Sequence, residues 1–317
     1  MKCSVIICTH NPRDHYLCRV LEAMKKQTLP RDEWELLLID NASTQPLDRK
    51  VDLSWHPKGR VVREDKLGLT HARLRGISES SGELLVFVDD DNIIKADYLQ
   101  KAVEIGDRFT WLGVWGGSCL PEYESEPPKE IVPWLGSLAI YTVSAPIWAK
   151  LRFWTEACPC GAGMVVRRKL ALHYQQELAA SPIRQMLGRS GTSLGAGEDV
   201  DMILSGFDLG LGAGRFPELE LTHIIPASRF EVDYLAKVLE GFGYSEVVVG
   251  LVHQPGYQAP VRSNARVWLN NISLLTRSSA ERKIAGAVVR GRFKAYRALK
   301  GVWESAATQK KESAPGV

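Results

Sequence analysis

The sequence predicts an α/β protein with a central, mostly parallel sheet flanked by helices. Short apolar runs alternate with helical stretches over the first hundred of the 317 residues, an order typical of βαβ units. The apolar run 84–88 is continuous rather than alternating, which indicates a strand buried on both faces. Polar residues follow three of the predicted strands, as they do where open α/β sheets bind ligands outside the carboxyl ends of their strands.

The first half of the chain supplies most of the predicted sheet. Strands are expected at 2–8, 34–39, 60–63 and 84–88, and helices at 13–26 and 70–80. Beyond residue 100 the alternation weakens. There we expect strands at 111–120, 160–166 and 219–225, a helix at 167–180, and mostly helical structure from residue 229 onward. A Gly/Ser-rich loop at 190–197 is predicted to move as a lid over a charged ligand.

The composition is that of a soluble globular protein, with 45% hydrophobic and 24% charged residues. The apolar start is too short for a signal peptide, so a cytoplasmic location is expected. Six cysteines are too few for a dense disulfide framework, and Cys3, Cys8 and Cys18 are predicted to be thiols of a reducing compartment. The uncharged stretch 131–149 contains two prolines that would break a spanning helix, so we expect it to be buried or to face substrate.

Asp89, Asp90 and Asp91 directly follow the apolar run 84–88. They cannot be core residues, because burying each carboxylate without a partner would cost several kcal/mol. Carboxylate oxygens are hard ligands, suited to Mg²⁺ or Mn²⁺ carrying a phosphorylated substrate. For the triplet alone, a solvated acidic turn is the alternative. The chain has neither of the glycine-rich phosphate loops typical of dinucleotide-binding proteins and P-loop NTPases, so the charge of a diphosphate would be met by a metal.

The motifs of residues 3–230 resemble, in order, those of the family 2 glycosyltransferases. They are the strand and loop 4–11, the second strand end 39–43, the helix 68–76, the Asp-x-Asp signature of Asp89 and Asp91, the sugar-site floor 160–164, and the Glu-Asp motif 197–201. Leu74 and Gly163 stand where the family has Asn, so neither is given a role. Each motif alone is weak evidence, but the ordered set is strong.

The resemblance implies the GT-A fold, a Rossmann-like mixed sheet with flanking helices. It also implies an inverting enzyme of cell-surface polysaccharide synthesis. The donor is expected to be a nucleotide-diphosphate sugar, with a UDP-sugar favoured, and the acceptor a glycan or polyprenyl-linked hydroxyl. The positions that would bind the nucleotide sugar are Thr9, His10, Asn11, Asp40, Arg73, Asp89, Asp90, Gly161 and Ala162. Residues 1–100 would form the nucleotide-sugar half, 101–235 the acceptor-binding and catalytic half, and 236–317 a helical, basic extension.

The chemistry of sugar transfer assigns the remaining roles. The leaving diphosphate must be neutralised, for which Asp91 and Asp89 are expected to hold Mn²⁺ or Mg²⁺. His223 either completes this metal site or is an ordinary buried histidine. Asp199 is expected to be the general base for the acceptor hydroxyl, with Glu198 orienting it or hydrogen-bonding the acceptor. The alternative is that both carboxylates merely favour the positive end of a helix.

Two other functions share part of this pattern. A nucleotidyltransferase also uses strand-end aspartates, but it usually needs a glycine-rich basic loop where this chain has Thr-His-Asn-Pro at 9–12. A non-catalytic sugar-binding protein would not need both the aspartate triplet and the acidic pair at 198–199. One or two tryptophans of the second half are expected to stack on an acceptor sugar, the candidates being Trp111, Trp115, Trp134, Trp148 and Trp154.

The C-terminal segment is strongly basic. Residues 262–317 hold twelve Lys/Arg and three Glu, a net charge of +9, whereas residues 1–261 carry −6. Apolar residues, Phe293, Tyr296 and Trp303 among them, recur at helical spacing beside the cations. This pattern predicts an amphipathic helix on an anionic membrane, peripheral to its inner face. The alternative is a helix packed on the domain with its basic side in water. No nucleic-acid recognition module is evident, so no nucleic-acid partner is expected.

Overall fold

The computed structural model describes residues 1–188, 195–257 and 278–299, and there it contains the predicted sheet with helices around it. The strands are β1 Cys3–Thr9, β2 Trp34–Asn41, β3 Gly59–Glu64, β4 Leu84–Asp89, β5 Asn92–Ile94, β6 Leu112–Tyr123, β7 Ile147–Ala149, β8 Val165–Arg167 and β9 Gly212–Ile225. The helices are α1 Asp14–Lys25, α2 Leu69–Glu79, α3 Tyr98–Arg108, α4 Arg168–Ala180, α5 Glu198–Ser205, α6 Val232–His253 and α7 Ser279–Ala298.

The strands form one mixed sheet in the order β3-β2-β1-β4-β8-β6-β9-β5, with β7 paired to β9. β1, β2, β3 and β4 are parallel, and β8 is antiparallel to both β4 and β6. The carboxyl ends of β1, β2, β4, β6 and β9 therefore share one edge, which we call the carboxyl edge. β8 pairs with only the first three residues of β4, Leu84 to Val86. The sheet is thus open between β4 and β6 near that edge.

The central strands are buried on both faces, as their continuous apolar runs predict. In β1, Val5 and Ile7 belong to a core cluster with residues of α1 and α3. The alternate residues Ile6 and Cys8 belong to a second cluster with residues of α2, α4 and α5. The period-two alternation of a strand thus splits an unbroken apolar sequence between two helical layers.

The predictions for the second half of the sheet are partly wrong. Only Val165 and Val166 of the predicted strand 160–166 join the sheet; the residues before them form a turn in which Gly163 has φ +70°, a left-handed conformation that a strand does not adopt. β9 begins seven residues earlier than expected, and α3, β5 and β7 were not predicted. α3 contains Gly106, a residue unfavourable inside a helix, which here packs against the ring of Trp115. Such a tertiary contact cannot be recognised from the local sequence pattern.

Two further predictions concern the whole chain. The uncharged stretch 131–149 lies partly in a 3₁₀ helix, Lys129–Leu138, and then in β7. In the three described ranges no helix combines the length and apolar character needed to cross a membrane. All six cysteines are free thiols, with Cys3 and Cys8 buried and Cys18 exposed.

Most of the predicted lid, 190–197, lies outside the described residues.

The C-terminal helices α6 and α7 pack side by side. Ion pairs join Lys283 to Asp233, Arg290 to Glu240 and Arg292 to Glu246, and this common order shows that the helices are parallel. The predicted apolar stripe of the tail is divided, because Ile284 and Leu299 are buried whereas Phe293 and Tyr296 are 47% and 39% exposed. Residues 258–277 and 300–317 of the predicted extension, including Trp303, lie outside the described residues.

A buried ionic cluster ties α5 to the end of α6. Asp201, on α5, is fully buried, and its Oδ1 accepts a hydrogen bond from Arg184 Nη1 at 2.6 Å. Its Oδ1 also lies 2.6 Å from Nε2 of His253, the last residue of α6. Arg184 donates a further hydrogen bond to Ser205 at 2.9 Å. The cluster fixes the helix whose first turn carries Glu198 and Asp199 against a second helix.

Replacing the central carboxylate should destabilise the protein. Asp201→Asn leaves Arg184 buried without its close, fully buried counter-charge, so the free energy of unfolding should fall by roughly 3–5 kcal/mol. The matched control is Glu177→Gln, which removes a more exposed partner 3.5 Å from the same arginine and should cost less than about 1 kcal/mol. Urea unfolding followed by circular dichroism measures both. Equal, small losses in the two variants would contradict this account of the cluster.

Candidate active site

The predicted nucleotide loops meet at the carboxyl edge. His10 Nδ1 lies 2.7 Å from the carbonyl oxygen of Asn41, and Asn11 N donates to Ser43 Oγ at 2.9 Å. Asn11 has φ 47°, in the left-handed region that Asn adopts more readily than most residues. The chain thus turns sharply after β1 and binds the loop after β2. His10 and Asn11 are exposed there, available to a ligand.

Asp40 organises the loop that follows β2. It is buried and accepts hydrogen bonds from the backbone N–H groups of Ser43 and Leu47 at 3.0 and 3.1 Å, and from Arg63 Nη1 at 2.7 Å. Burial alone would raise the pKa of Asp40, but its bonds to Ser43 and Arg63 hold it below the ordinary value. Both carboxylate oxygens are therefore already engaged, and the first role of Asp40 is to shape the loop.

Thr9 and Asp90 join the ends of β1 and β4. The Thr9 hydroxyl donates a hydrogen bond to Asp90 Oδ2. Burial, followed by the charge of Asp91, raises the pKa of Asp90 to about 7. Asp90 is half-buried and holds the two strand ends together, which leaves its neighbours on either side to face other groups.

The buried guanidinium of Arg73 gathers three separate segments. Its Nη1 lies 3.2 Å from Oε1 of Glu198, at the start of α5, and its Nη2 lies 3.9 Å from Oδ1 of Asp89, at the end of β4. Burial would lower the pKa of Arg73, but the charges of Glu198 and Asp89 hold it above its ordinary value. The third segment passes at Gly161, where a Cβ atom would lie only 2.5 Å from Arg73 Nη2.

Asp199 lies beside the predicted sugar-site floor. Its Oδ2 accepts a hydrogen bond from Gly161 N at 3.0 Å, and its Oδ1 one from Val200 N at 2.8 Å. Asp199 is half-buried, whereas Glu198 is 6% exposed and paired with Arg73. Ala162, also half-buried, packs against the core and accepts a weak hydrogen bond from the Cys160 thiol at 3.6 Å. The more accessible carboxylate thus borders the predicted sugar site, and the buried one is held by the arginine.

Asp91 and His223 lie together at the opening of the sheet. β5 pairs with β9 so that Asn92 is opposite His223, and Oδ2 of Asp91 lies 3.5 Å from Nε2 of His223. Arg229 contacts both, with Nη2 2.7 Å from Asp91 Oδ2 and Nη1 2.8 Å from His223 Nε2. Burial opposes ionisation of Asp91, but the neighbouring His223 and Arg229 hold its pKa below the ordinary value.

The side chains at this opening include possible ligands for a divalent metal. Across the described ranges no three acidic, histidine or cysteine side chains converge as a ready-made metal cage. Asp91 and His223 are nevertheless close enough to share one ion, and Mg²⁺ in phosphate sites commonly takes one or two carboxylates, waters and substrate phosphates. The residues therefore fit a metal that arrives with a phosphorylated ligand. Asp89, with its side chain 37% exposed, lies in the same strand end.

The structure thus brings the predicted site residues to one edge, and it adds others that the sequence did not indicate. Arg229 and Arg63 each pair with a predicted site carboxylate, yet neither belongs to a motif that would single it out. A lone arginine some residues beyond a strand carries no local signal of what it contacts. Only the fold shows that these cations neutralise the acidic edge.

Three of the five tryptophan candidates lie away from the carboxyl edge. Trp115 is fully buried in the core. Trp111 and Trp148 are exposed and in edge-to-face contact, but they lie where β6 and β9 begin, at the opposite edge of the sheet. Trp134 and Trp154 stay as candidates for contact with an acceptor.

Comparison with known proteins gives a consistent result. The model of the family described as Glycosyl transferase family 2 matches residues 4–173. Glycosyltransferase AglE of Haloferax volcanii is 27% identical over 134 residues, 38% of this chain and 44% of that protein. Poly(ribitol-phosphate) β-N-acetylglucosaminyltransferase TarS of Staphylococcus aureus is 27% identical over 154 residues, 45% of this chain and 26% of that protein. The alignments thus span less than half of each of these relatives.

Solved structures share the fold. A fragment of S. aureus TarS in complex with UDP-GlcNAc superposes with a TM-score of 0.51 at 15% identity, over 96% of this chain and 92% of that one. GalNAc-T7 with UDP, GalNAc and Mn²⁺ gives a TM-score of 0.52 at 16% identity, over 77% of this chain and 48% of that one. At such identities the likeness establishes the architecture.

Proposed function

The chain belongs to glycosyl transferase family 2 and has the GT-A fold, and on that premise we propose that it transfers a sugar from a nucleotide-diphosphate donor to an acceptor hydroxyl. The observation that carries the proposal is the convergence at Arg73. This one side chain joins the strand-end Asp89, the turn at Gly161 and the acidic pair that begins with Glu198. A donor site and a base are needed side by side for transfer, and these segments supply both.

The donor is assigned to the carboxyl edge between the loops of His10 and Asp40 and the strand end at Asp89. UDP is favoured because TarS and GalNAc-T7 structures of the same fold contain UDP or a UDP-sugar. The residues of this chain that would hold a divalent ion, Mn²⁺ or Mg²⁺, are Asp91 and His223, with Asp89 beside them. When bound, such an ion would neutralise charge on the leaving diphosphate.

Asp199 is assigned as the general base of an inverting transfer. It lies at the sugar-site floor, where its hydrogen bond from Gly161 N fixes the orientation of the carboxylate. No cation pairs with it among the described residues, whereas Glu198 is paired with Arg73, so Asp199 is the one able to accept a proton from an incoming hydroxyl. Glu198 then has a positioning role, because its ion pair with Arg73 holds the start of α5 close to the donor-binding strand end at Asp89. The acceptor is proposed to be a glycan or a lipid-linked hydroxyl.

A peripheral membrane site on α7 is a further part of the proposal, with fewer cations available for anionic lipid than the sequence predicts. Of the cations on this helix, Lys283, Arg290, Arg292 and Lys294 are paired with acidic residues of α6. In the described part of the chain this leaves Arg282 and Arg297, so electrostatic attraction from α7 amounts to about 2 kcal/mol at most. The exposed aromatic residues Phe293 and Tyr296 would supply the rest.

Donor binding should depend on a divalent metal. We expect UDP to bind the wild type with Mn²⁺ and to bind roughly 10-fold to 100-fold more weakly in excess chelator, and Asp91→Ala to lose the metal-dependent part. Isothermal titration calorimetry measures both. Asp208→Asn, which alters a surface ion pair with Arg152, serves as the control and should bind UDP normally. Equal affinity with and without chelator would refute the metal assignment.

Removing the proposed base should separate binding from turnover. Asp199→Asn should keep UDP affinity but lower the rate of UDP-sugar hydrolysis, with water as acceptor, on the order of 10²-fold or more. The assay measures release of UDP from a panel of UDP-sugars with Mn²⁺, again with Asp208→Asn as control. Near-normal turnover of Asp199→Asn would mean that the base lies elsewhere, and Glu198 would be the next candidate.

The membrane proposal is tested without shortening the chain, because α7 packs on α6. Wild type should sediment with anionic vesicles more than with neutral ones of equal size, and salt should weaken this binding. The double variant Phe293→Ser, Tyr296→Ser should lose most of it, because burial of an aromatic side chain contributes roughly 1.5–3 kcal/mol. Leu172→Ser, a similarly exposed apolar residue of α4, is the control. Equal recovery of the wild type with anionic and neutral vesicles would contradict the membrane proposal, and the basic side of α7 would then simply face water.

A further inference from the structure

Arg229 holds the two proposed metal ligands in the described structure. It lies in the 3₁₀ turn Ala227–Phe230, directly after β9. Its two terminal nitrogens are both used, one at 2.7 Å from Asp91 and the other at 2.8 Å from His223. A planar guanidinium with a fork of donors suits such a double contact. The position that a metal shared by these two residues would take is therefore filled by a cation of the protein itself.

The atoms through which Asp91 and His223 face each other, Oδ2 and Nε2, are the same atoms that Arg229 contacts. The other oxygen of Asp91, Oδ1, already accepts a hydrogen bond from Asn92 Nδ2 at 3.0 Å. The lone pair of His223 Nε2 faces Arg229, since a guanidinium nitrogen donates and cannot accept. Because Nε2 has a single lone pair, Arg229 and a metal cannot both occupy it, and the two cations also compete for Oδ2 of Asp91.

The backbone that carries Arg229 is held more firmly than its side chain. The turn that carries it is fixed at Ala227, whose N–H donates to Glu124 at 3.1 Å, and at Phe230, which is buried against Tyr123. The arginine side chain is 23% exposed, so it borders solvent. A long side chain on a fixed turn can exchange one partner for another without rearrangement of the backbone.

Resting on the proposed function, we propose that Arg229 is a placeholder cation that couples metal binding to binding of the nucleotide diphosphate. Without nucleotide, Arg229 neutralises Asp91 and opposes entry of a divalent ion. When a diphosphate arrives, it offers the guanidinium a new anionic partner, so release of Asp91 and His223 becomes less costly. Metal and nucleotide then favour each other's binding, and linkage requires that the effect be reciprocal.

The test compares Mn²⁺ binding by wild type, Arg229→Gln, Arg229→Lys and Arg13→Gln, with and without UDP, by electron paramagnetic resonance of free Mn²⁺. Arg13 is the matched control, since it pairs with Glu124 beneath the same turn. We expect Arg229→Gln to bind Mn²⁺ alone roughly fivefold or more tightly than wild type, and UDP to raise Mn²⁺ affinity several-fold in wild type but hardly in the variant. Arg229→Lys keeps the charge but not the fork and should lie between them.

Each result decides for or against the proposal. Equal Mn²⁺ affinity of wild type and Arg229→Gln without UDP, or an equal gain in Arg13→Gln, would overturn it. Metal-independent UDP binding that Arg229→Gln abolishes would also overturn it, because Arg229 would then be a permanent counter-ion of the diphosphate. Failure of the proposed function gives a different result, because the wild type would then bind no UDP in the presence of Mn²⁺. The gain of Mn²⁺ affinity in Arg229→Gln is measured without nucleotide and does not depend on that result.

Discussion

The ionic contact of Arg73 with Glu198 and Asp89 is the constraint on which the architecture of the site depends. A cation buried this deeply is stable only when its counter-charges are in place, because the desolvation of an unpaired charge far exceeds what a small domain can tolerate. Since the carboxylates come from β4 and α5, the donor side and the acidic pair must assemble together. Chemistry and folding are therefore coupled through one guanidinium.

The same edge shows how a strongly acidic site is kept folded while its ligands are absent. Three of its carboxylates each have a cation from a different element: Arg63 faces Asp40, Arg73 faces Glu198, and Arg229 faces Asp91. None of these arginines shares a local motif with its partner. The acidic charge of the site is thus partly neutralised before substrate arrives, and binding of a charged donor becomes an exchange of partners as well as a gain of contacts.

Features of this fold and site that depend on neighbouring residues in the sequence could be predicted, whereas those that depend on contacts between distant segments could not. β1, β2 and β4 are recognisable because burial on both faces needs an unbroken apolar run, and the aspartates after β4 are recognisable because carboxylates are excluded from a core. The turn before β8 was mistaken for strand because the conformation of Gly163 is set by its packing against Leu221 and Tyr98, distant in sequence. Arg229 was missed for the same reason, since its role exists only where β9 and β5 meet.

The close contact of α6 and α7 has a practical consequence for handling the protein. A Cβ atom at Gly291 would lie 1.9 Å from the carbonyl oxygen of Glu240, and one at Gly243 would lie 2.1 Å from that of Val288, so the two backbones touch. Leu239 and Val248 of α6 are buried in clusters that α7 completes. Proteolytic trimming during purification that removed α7 would expose this apolar surface, and the trimmed fraction is expected to aggregate more readily than the intact chain.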